Sequence, residues 1–165
     1  MKKTISLLSA AAMLSAVSVT AFAREITESK GSRKADVTIS TSVAPAYTVS
    51  IPLNANVAFN AAQTNFGSVS LDAARLAPNK AVEITITSDF DLNNSTDKTA
   101  VIPYTLKATK GTDEKTVGAN FSAKLQNPGD KVDLTIYIAQ ADWDAAAAGD
   151  YSDTVTFNIA YVDAK

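Results

Sequence analysis

Between residues 82 and 92 the chain alternates. Val82, Ile84, Ile86, Phe90 and Leu92 fall on even positions, and Glu83, Thr85, Thr87, Asp89 and Asp91 fall on odd ones. A period of two puts one face against a core and the other in water, which is the signature of a half-buried β-strand. The pattern recurs. Val132, Leu134, Ile136 and Ile138 alternate with Asp133, Thr135 and Tyr137, and Val155, Phe157, Ile159 and Tyr161 alternate with Thr156 and Asn158.

Shorter runs fill the rest. Val37, Ile39 and Val43 share parity, Pro45 interrupts, and Tyr47, Val49, Ile51 and Leu53 form a second run that Pro52 assigns to an edge or an end. Phe66, Val69 and Leu71 mark a third piece around Gly67. Ile102, Tyr104 and Leu106 mark another, and Phe121, Ala123 and Leu125 one more. Turns are expected at Asn93-Asn94-Ser95 and Asn127-Pro128-Gly129-Asp130. Only residues 140–148 read as helix, a short connection ending at Gly149. About seven or eight strands and one short helical connection predict an all-β fold, a single antiparallel β-sandwich of immunoglobulin-like or pilin-like type.

The 165 residues include no cysteine and no histidine. The fold must therefore hold by its core alone, and Cys- or His-based zinc sites and Ser-His or Cys-His nucleophiles are excluded. No cofactor is expected, and no pair of acids is marked out for glycoside hydrolysis, so the chain is expected not to be an enzyme.

The N-terminus has its own logic. Lys2 and Lys3 precede an apolar run from Ile5 to Val19, and Ala21-Phe22-Ala23 is a small-x-small cleavage site, so residues 1–23 are expected to be a signal peptide cut between Ala23 and Arg24. Loss of Lys2 and Lys3 takes the formal net charge from −2 to −4, which argues against nucleic acid as a partner. Residues 24–36 mix both charge signs with little that is apolar and read as a flexible leader, leaving residues 37–165 for the sandwich. No second long apolar run follows, so no membrane span is expected in the mature chain. The chain is expected in the periplasm or outside the cell, at the cell surface or secreted.

Three stretches carry a resemblance. Val37 to Val43 leading into Ala46-Tyr47-Thr48-Val49-Ser50-Ile51-Pro52, then Asn65-Phe66-Gly67, then Ala148-Gly149-Asp150-Tyr151-Ser152-Asp153-Thr154-Val155-Thr156-Phe157 resemble secreted bacterial surface β-sandwiches. The last is similar to the closing strand of spore-coat-protein-U-like and fimbrial subunits, and the Tyr47–Pro52 stretch to adhesin-like modules of Gram-positive bacteria. The chain departs from the coat and fimbrial pattern in having no disulfide, whose first cysteine would fall near Ala46 or Tyr47. The resemblance implies a non-enzymatic structural or adhesive subunit that meets other cell-surface proteins, or further copies of itself, through shape and strand edges.

Polymerisation by strand donation is a first alternative. Residues 24–36 offer only Ile26 and Ala35, so the donor would have to be Val37, Ile39 and Val43, which the alternation already gives to the sandwich; a self-complete domain is therefore the first expectation. A carbohydrate- or calcium-binding module is the second alternative. Asp89-Phe90-Asp91-Leu92-Asn93 has the D-x-D-x-N opening of a calcium loop, but Asn94 and Ala100 stand where Gly and an acid are needed. Asp142 and Asp144, with Asp150 and Asp153, make a second weak cation candidate, against the plain reading of acids at a helix start and a turn. Trp143 and the outward Tyr137 are the candidate carbohydrate contacts, against the plain reading that large aromatics pack.

Overall fold

The computed structural model describes residues 37–165, so the signal peptide, its cleavage site at Ala23 and Arg24, and the leader 24–36 lie outside the described residues. The chain divides into two units at Ala44 and Pro45. In the first, residues 37–44 form no strand, and Val37, Ile39 and Val43 are 81%, 96% and 65% exposed. The expected opening strand of the sandwich is thus absent. Alternation supplies a strand's side-chain pattern, but not the neighbouring edge that a strand must pair with.

In the second unit the alternating runs become antiparallel strands over one apolar core. Five of them form one sheet in the order β1 (Ala46–Ser50), β2 (Gln63–Arg75), β9 (Lys131–Tyr137), β6 (Thr105–Lys110) and β7 (Asp113–Thr116). The facing sheet runs β11 (Thr156–Asp163), β3 (Lys80–Thr87), β8 (Ser122–Leu125). A third, small sheet joins β10 (Tyr151–Ser152), β4 (Asp91–Asn94) and β5 (Val101–Pro103). Val69, Leu71, Leu106 and Leu134 from the first sheet meet Val82, Ile84, Ile86 and Leu125 from the second in a single cluster, all of them 2% exposed or less. This is the expected sandwich.

Two predicted strands are broken in instructive places. The run 82–92 divides at Phe90, whose φ of +60° turns the chain out of the β11-β3-β8 sheet, so Asp91 to Asn94 join the sheet of β10 and β5, and Asn93 and Asn94 are strand rather than turn. The terminal strand likewise divides, with Ser152 ending β10 and Thr156 opening β11. Gly67, at φ +109°, is a bulge that offsets the register between β2 and β9; the inward positions are even before it (Thr64, Phe66) and odd after it (Val69, Leu71). The helix α1 spans Gln140–Ala145 and stops where Ala146 turns extended, with φ −68° and ψ 132°, so Gly149 is not its terminator. Gly149 instead allows close approach: a β-carbon there would overlap the Asn94 amide. No helix among the described residues is long and apolar enough to cross a membrane.

Candidate functional site

β1 and β11 are each the outermost strand of their sheet, and they lie on the same flank of the sandwich. The Tyr47 and Tyr161 rings stack at 6.2 Å and 19°, and Phe66 meets Phe157 at 6.2 Å. On β11 the inward residues Phe157, Ile159 and Tyr161 are in register with Ile86, Ile84 and Val82 of β3. The β3 partners are fully buried, whereas the three β11 residues are only half-buried, as is Val49; Tyr47 is 39% exposed. The apolar interior therefore reaches the surface along a seam between β1 and β11. Among the described residues both strands bordering it keep a row of unpaired backbone groups, and from Thr156 to Val162 the β11 edge carries no charge and no proline to guard it.

Each end of the seam is pinned. At the Tyr161 end, the Tyr161 hydroxyl accepts the Ala77 N–H (2.8 Å) and Lys80 Nζ donates to Asp163 (2.7 Å). The hydrogen bond to Asp163 is the main reason the Lys80 amine is held above its ordinary pKa. At the Phe157 end, Asp153 accepts from the Ser88 and Tyr104 hydroxyls, both at 2.5 Å, while Ser88 Oγ also accepts the Phe90 N–H at 2.8 Å. Partial burial alone would raise the Asp153 pKa, but the hydroxyl and backbone hydrogen bonds outweigh it, and the carboxyl stays below its ordinary value. Burial, then the bond to Asp153, pushes the Tyr104 phenol well above its usual range. The Gly-Asp-Tyr stretch serves the same corner: the Asp150 carbonyl accepts the Ser95 N–H (2.8 Å) and the Tyr151 hydroxyl donates to the Ala147 carbonyl (2.9 Å).

The residues singled out as cation and sugar contacts are placed otherwise. Asp89 and Asp153 line an open cleft of about 410 Å³ with Asn93, Ser152 and Thr154, but Asp91 belongs to β4, and no group of three acids converges among the described residues. Asp142 lies in the first turn of α1, and Asp144 accepts from the Gln140 side chain at 2.9 Å. Trp143 is buried, its Nε1–H donating to the Ala61 carbonyl (3.1 Å) and its ring meeting the edge of Phe59. It offers no open face to a sugar. Tyr137 lies on the opposite face of β9 from the core, with Lys107 Nζ 4.8 Å from its ring centre, so Tyr137 and Trp143 do not form one platform. The predicted edge residues Val37, Ile39 and Val43 are exposed and unpaired with any strand.

No family model matches the chain, and no curated protein matches it. Among solved structures it is similar to a chain of a chaperone–tip adhesin complex described as vital for synergistic activation of CFA/I fimbriae biogenesis, with 12% identity over 71% of this chain and a TM-score of 0.47. This chain spans 42% of that one.

Sequence reasoning missed the seam and the Asp153 cluster. Two signals were present. Ser88 is the one polar residue on the apolar parity of the run 82–92, and it sits where the hydroxyl is needed. The chain's last strand also lacks any charged residue before Asp163, which a covered strand tolerates and a free edge does not.

Proposed function

We propose that the chain is an exported structural subunit that assembles by strand exchange, the segment 37–43 of one copy lying in the β1/β11 seam of the next. The half-buried row Phe157, Ile159 and Tyr161 beside fully buried β3 partners carries this reading. An added strand would satisfy the free β11 edge with backbone hydrogen bonds and send Val37, Ile39 and Val43 inward, each contributing about 1.5–3 kcal/mol on full burial.

A tight hairpin onto β1 is a poor route for the donor. Only Ala44 and Pro45 separate Val43 from β1, and a two-residue hairpin of the favoured kinds needs positive φ at its first central residue, or at both. Proline is locked near −65° and disfavours turn conformations in the residue before it, so a tight hairpin of this kind is disfavoured at Ala44-Pro45 and donation to a second copy is the favoured use of the segment. Function then lies in contact between surfaces rather than in catalysis, outside the cytoplasm, with further copies and other cell-surface proteins as partners. This ordering reverses the expectation of a self-complete domain, because the segment that was to complete it forms no strand.

Two full-length single variants test the reading. Ile39→Asp leaves a chain that accepts but does not donate, and Ile159→Asp one that donates but does not accept. Each alone should give only monomer on an unheated denaturing gel, the wild type a heat-labile ladder, and the 1:1 mixture a single heterodimer band. A ladder from Ile39→Asp equal to that of the wild type would refute strand exchange.

A further inference from the structure

Tyr137, the last residue of β9, carries its ring on the outer face of the five-stranded sheet, where strand exchange makes no use of it. Its register partner on β6 is Thr105, whose side chain shares that face. Beyond the strand ends, Tyr137 and Thr105 line an open cleft of about 340 Å³. Pro103 and Ala139 give it apolar wall, and Asp142 of α1 is the one charged group lining it. That volume is at the small end of the range for ligand clefts. Lys107 approaches the ring from the sheet side. It lies two residues further along β6, with Nζ 4.8 Å from the ring centre and 2.7 Å from Glu114, and it does not line the cleft. The ring is thus held before any ligand arrives, which lowers the cost of ordering it on binding. On α1, Trp143 beside Asp142 is tied to the Ala61 carbonyl, so the carboxylate too stands on an anchored element.

We propose that this cleft binds one unit of a neutral glycan, its C–H face packed on Tyr137 and Pro103 and its hydroxyls donating to the Asp142 carboxylate and the Thr105 hydroxyl. Charge decides the ligand class. An anionic ligand would meet Asp142, and a cationic one would meet the Lys107 ammonium already set against the same ring. A divalent cation would find a single carboxylate, and no group of three acids converges among the described residues. A wholly apolar ligand would cover the half-buried Asp142 and offer it no donor. A sugar meets each demand: it is uncharged, with an apolar face for the ring and a hydroxyl edge for the carboxylate. Hydrogen bonds to an ionised acceptor are among the strong ones, so Asp142 supplies orientation as well as affinity. The cleft lies apart from the β1/β11 seam, and the proposal stands without strand exchange. In a multimer the same weak contact would recur on every copy, and avidity would multiply it.

The test titrates the full-length chain with the methyl glycosides of glucose, galactose, mannose and N-acetylglucosamine, and follows the Tyr137 ring resonances by NMR. N-acetylneuraminic acid and glucosamine serve as the anionic and cationic comparisons. At least one neutral glycoside should shift the Tyr137 resonances in a saturable way, and the two charged sugars should bind more weakly than it does. Tyr137→Ala and Asp142→Asn should each weaken binding about tenfold, whereas Tyr137→Phe keeps the ring and should stay within about twofold of wild type. For the variants, saturation transfer to the sugar protons gives the affinity, and the retained binding of Tyr137→Phe guards against a general loss of fold. A Tyr137 ring that none of the neutral glycosides shifts would overturn the proposal. So would unchanged affinity in Tyr137→Ala or Asp142→Asn, or tighter binding of either charged sugar.

Discussion

Where β6, β7 and β8 meet, Leu106, Ala108 and Leu125 are 0%, 3% and 0% exposed, and the outermost strand β7 reads Asp-Glu-Lys-Thr with every residue exposed. Where β1 and β11 meet on the opposite flank, the inward residues stay half-buried and the outer strands carry no charge from Ala46 to Ser50 or from Thr156 to Val162. Both flanks are ends of the same two sheets, built from the same alternating pattern. The difference lies in what the edge shows to water. Charges on β7 make a further strand costly there, because pairing would desolvate them. Nothing on β11 opposes pairing. One flank is closed by a charged strand, and the other keeps an unguarded edge among the described residues.

The sharpest way to break this contrast is to remove the same kind of side chain from each flank. Leu106→Ala, on the closed flank, leaves a cavity in a packed interior and should cost the monomer about 2–5 kcal/mol. Ile159→Ala, on the open flank, removes a side chain that water already reaches and should cost about 1 kcal/mol in the monomer. Denaturant unfolding of assembly-blocked Ile39→Asp chains measures both. In the multimer the order should narrow or reverse, since Ile159 would then be covered. Equal costs in the monomer would mean that the seam is not open.

An open flank still has to stay ordered, and Asp153 is the group that ties its upper end by joining Ser88 at the end of β3 to Tyr104 between β5 and β6. Asp153→Asn should cost about 1–2 kcal/mol, a value trimmed by partial solvation of the carboxylate. The pH dependence has a definite sign. The folded-state pKa lies below the ordinary aspartate value, so the stabilisation is fully present above about pH 4 and is lost as pH falls through the lower folded value. Thermal melts from pH 5 to pH 2 should show that loss in the parent and a flatter profile in Asp153→Asn. An unchanged profile would assign the corner's order to packing alone.

How much of this was legible follows the same division. Period-two patterning named the inward residues of β3, β9 and β11, because side-chain direction in a strand is a local property. It also placed residues 37–43 in the sandwich, and there it misled: Val37, Ile39 and Val43 share one parity, interrupted by Thr41, much as Val132, Leu134 and Ile136 do, and only the latter have a neighbour to pair with. Sheet membership is non-local. Strand β7, with no apolar residue, was invisible to hydrophobic pattern and forms because the turn at Gly111, with φ +63°, folds it back onto β6. The Asp153 corner joins residues 49 and 65 positions apart, beyond the reach of any spacing rule. Trp143 is buried, as the plain reading of a large aromatic expects.

The smallest expected effect tests what the charges on the closed flank are for. Lys107 donates to Glu114 at 2.7 Å across β6 and β7, and both side chains are substantially exposed. That hydrogen bond holds the Lys107 amine above its ordinary pKa, so its contribution is present below the unfolded lysine value and fades only as pH rises through the raised folded one. Exposed pairs of this kind add little to stability and are screened by salt. Glu114→Gln should therefore move the melting temperature less than Ile159→Ala does, with the shift erased at high salt. Replacing Glu114 and Lys115 together by Val should likewise leave the monomer's melting temperature nearly unchanged, yet make the chain associate through β7 as its concentration rises in light scattering. A chain that stays monomeric without those charges would show that β7 is protected by its shape, and the difference between the two flanks would then rest on the exposed apolar seam alone.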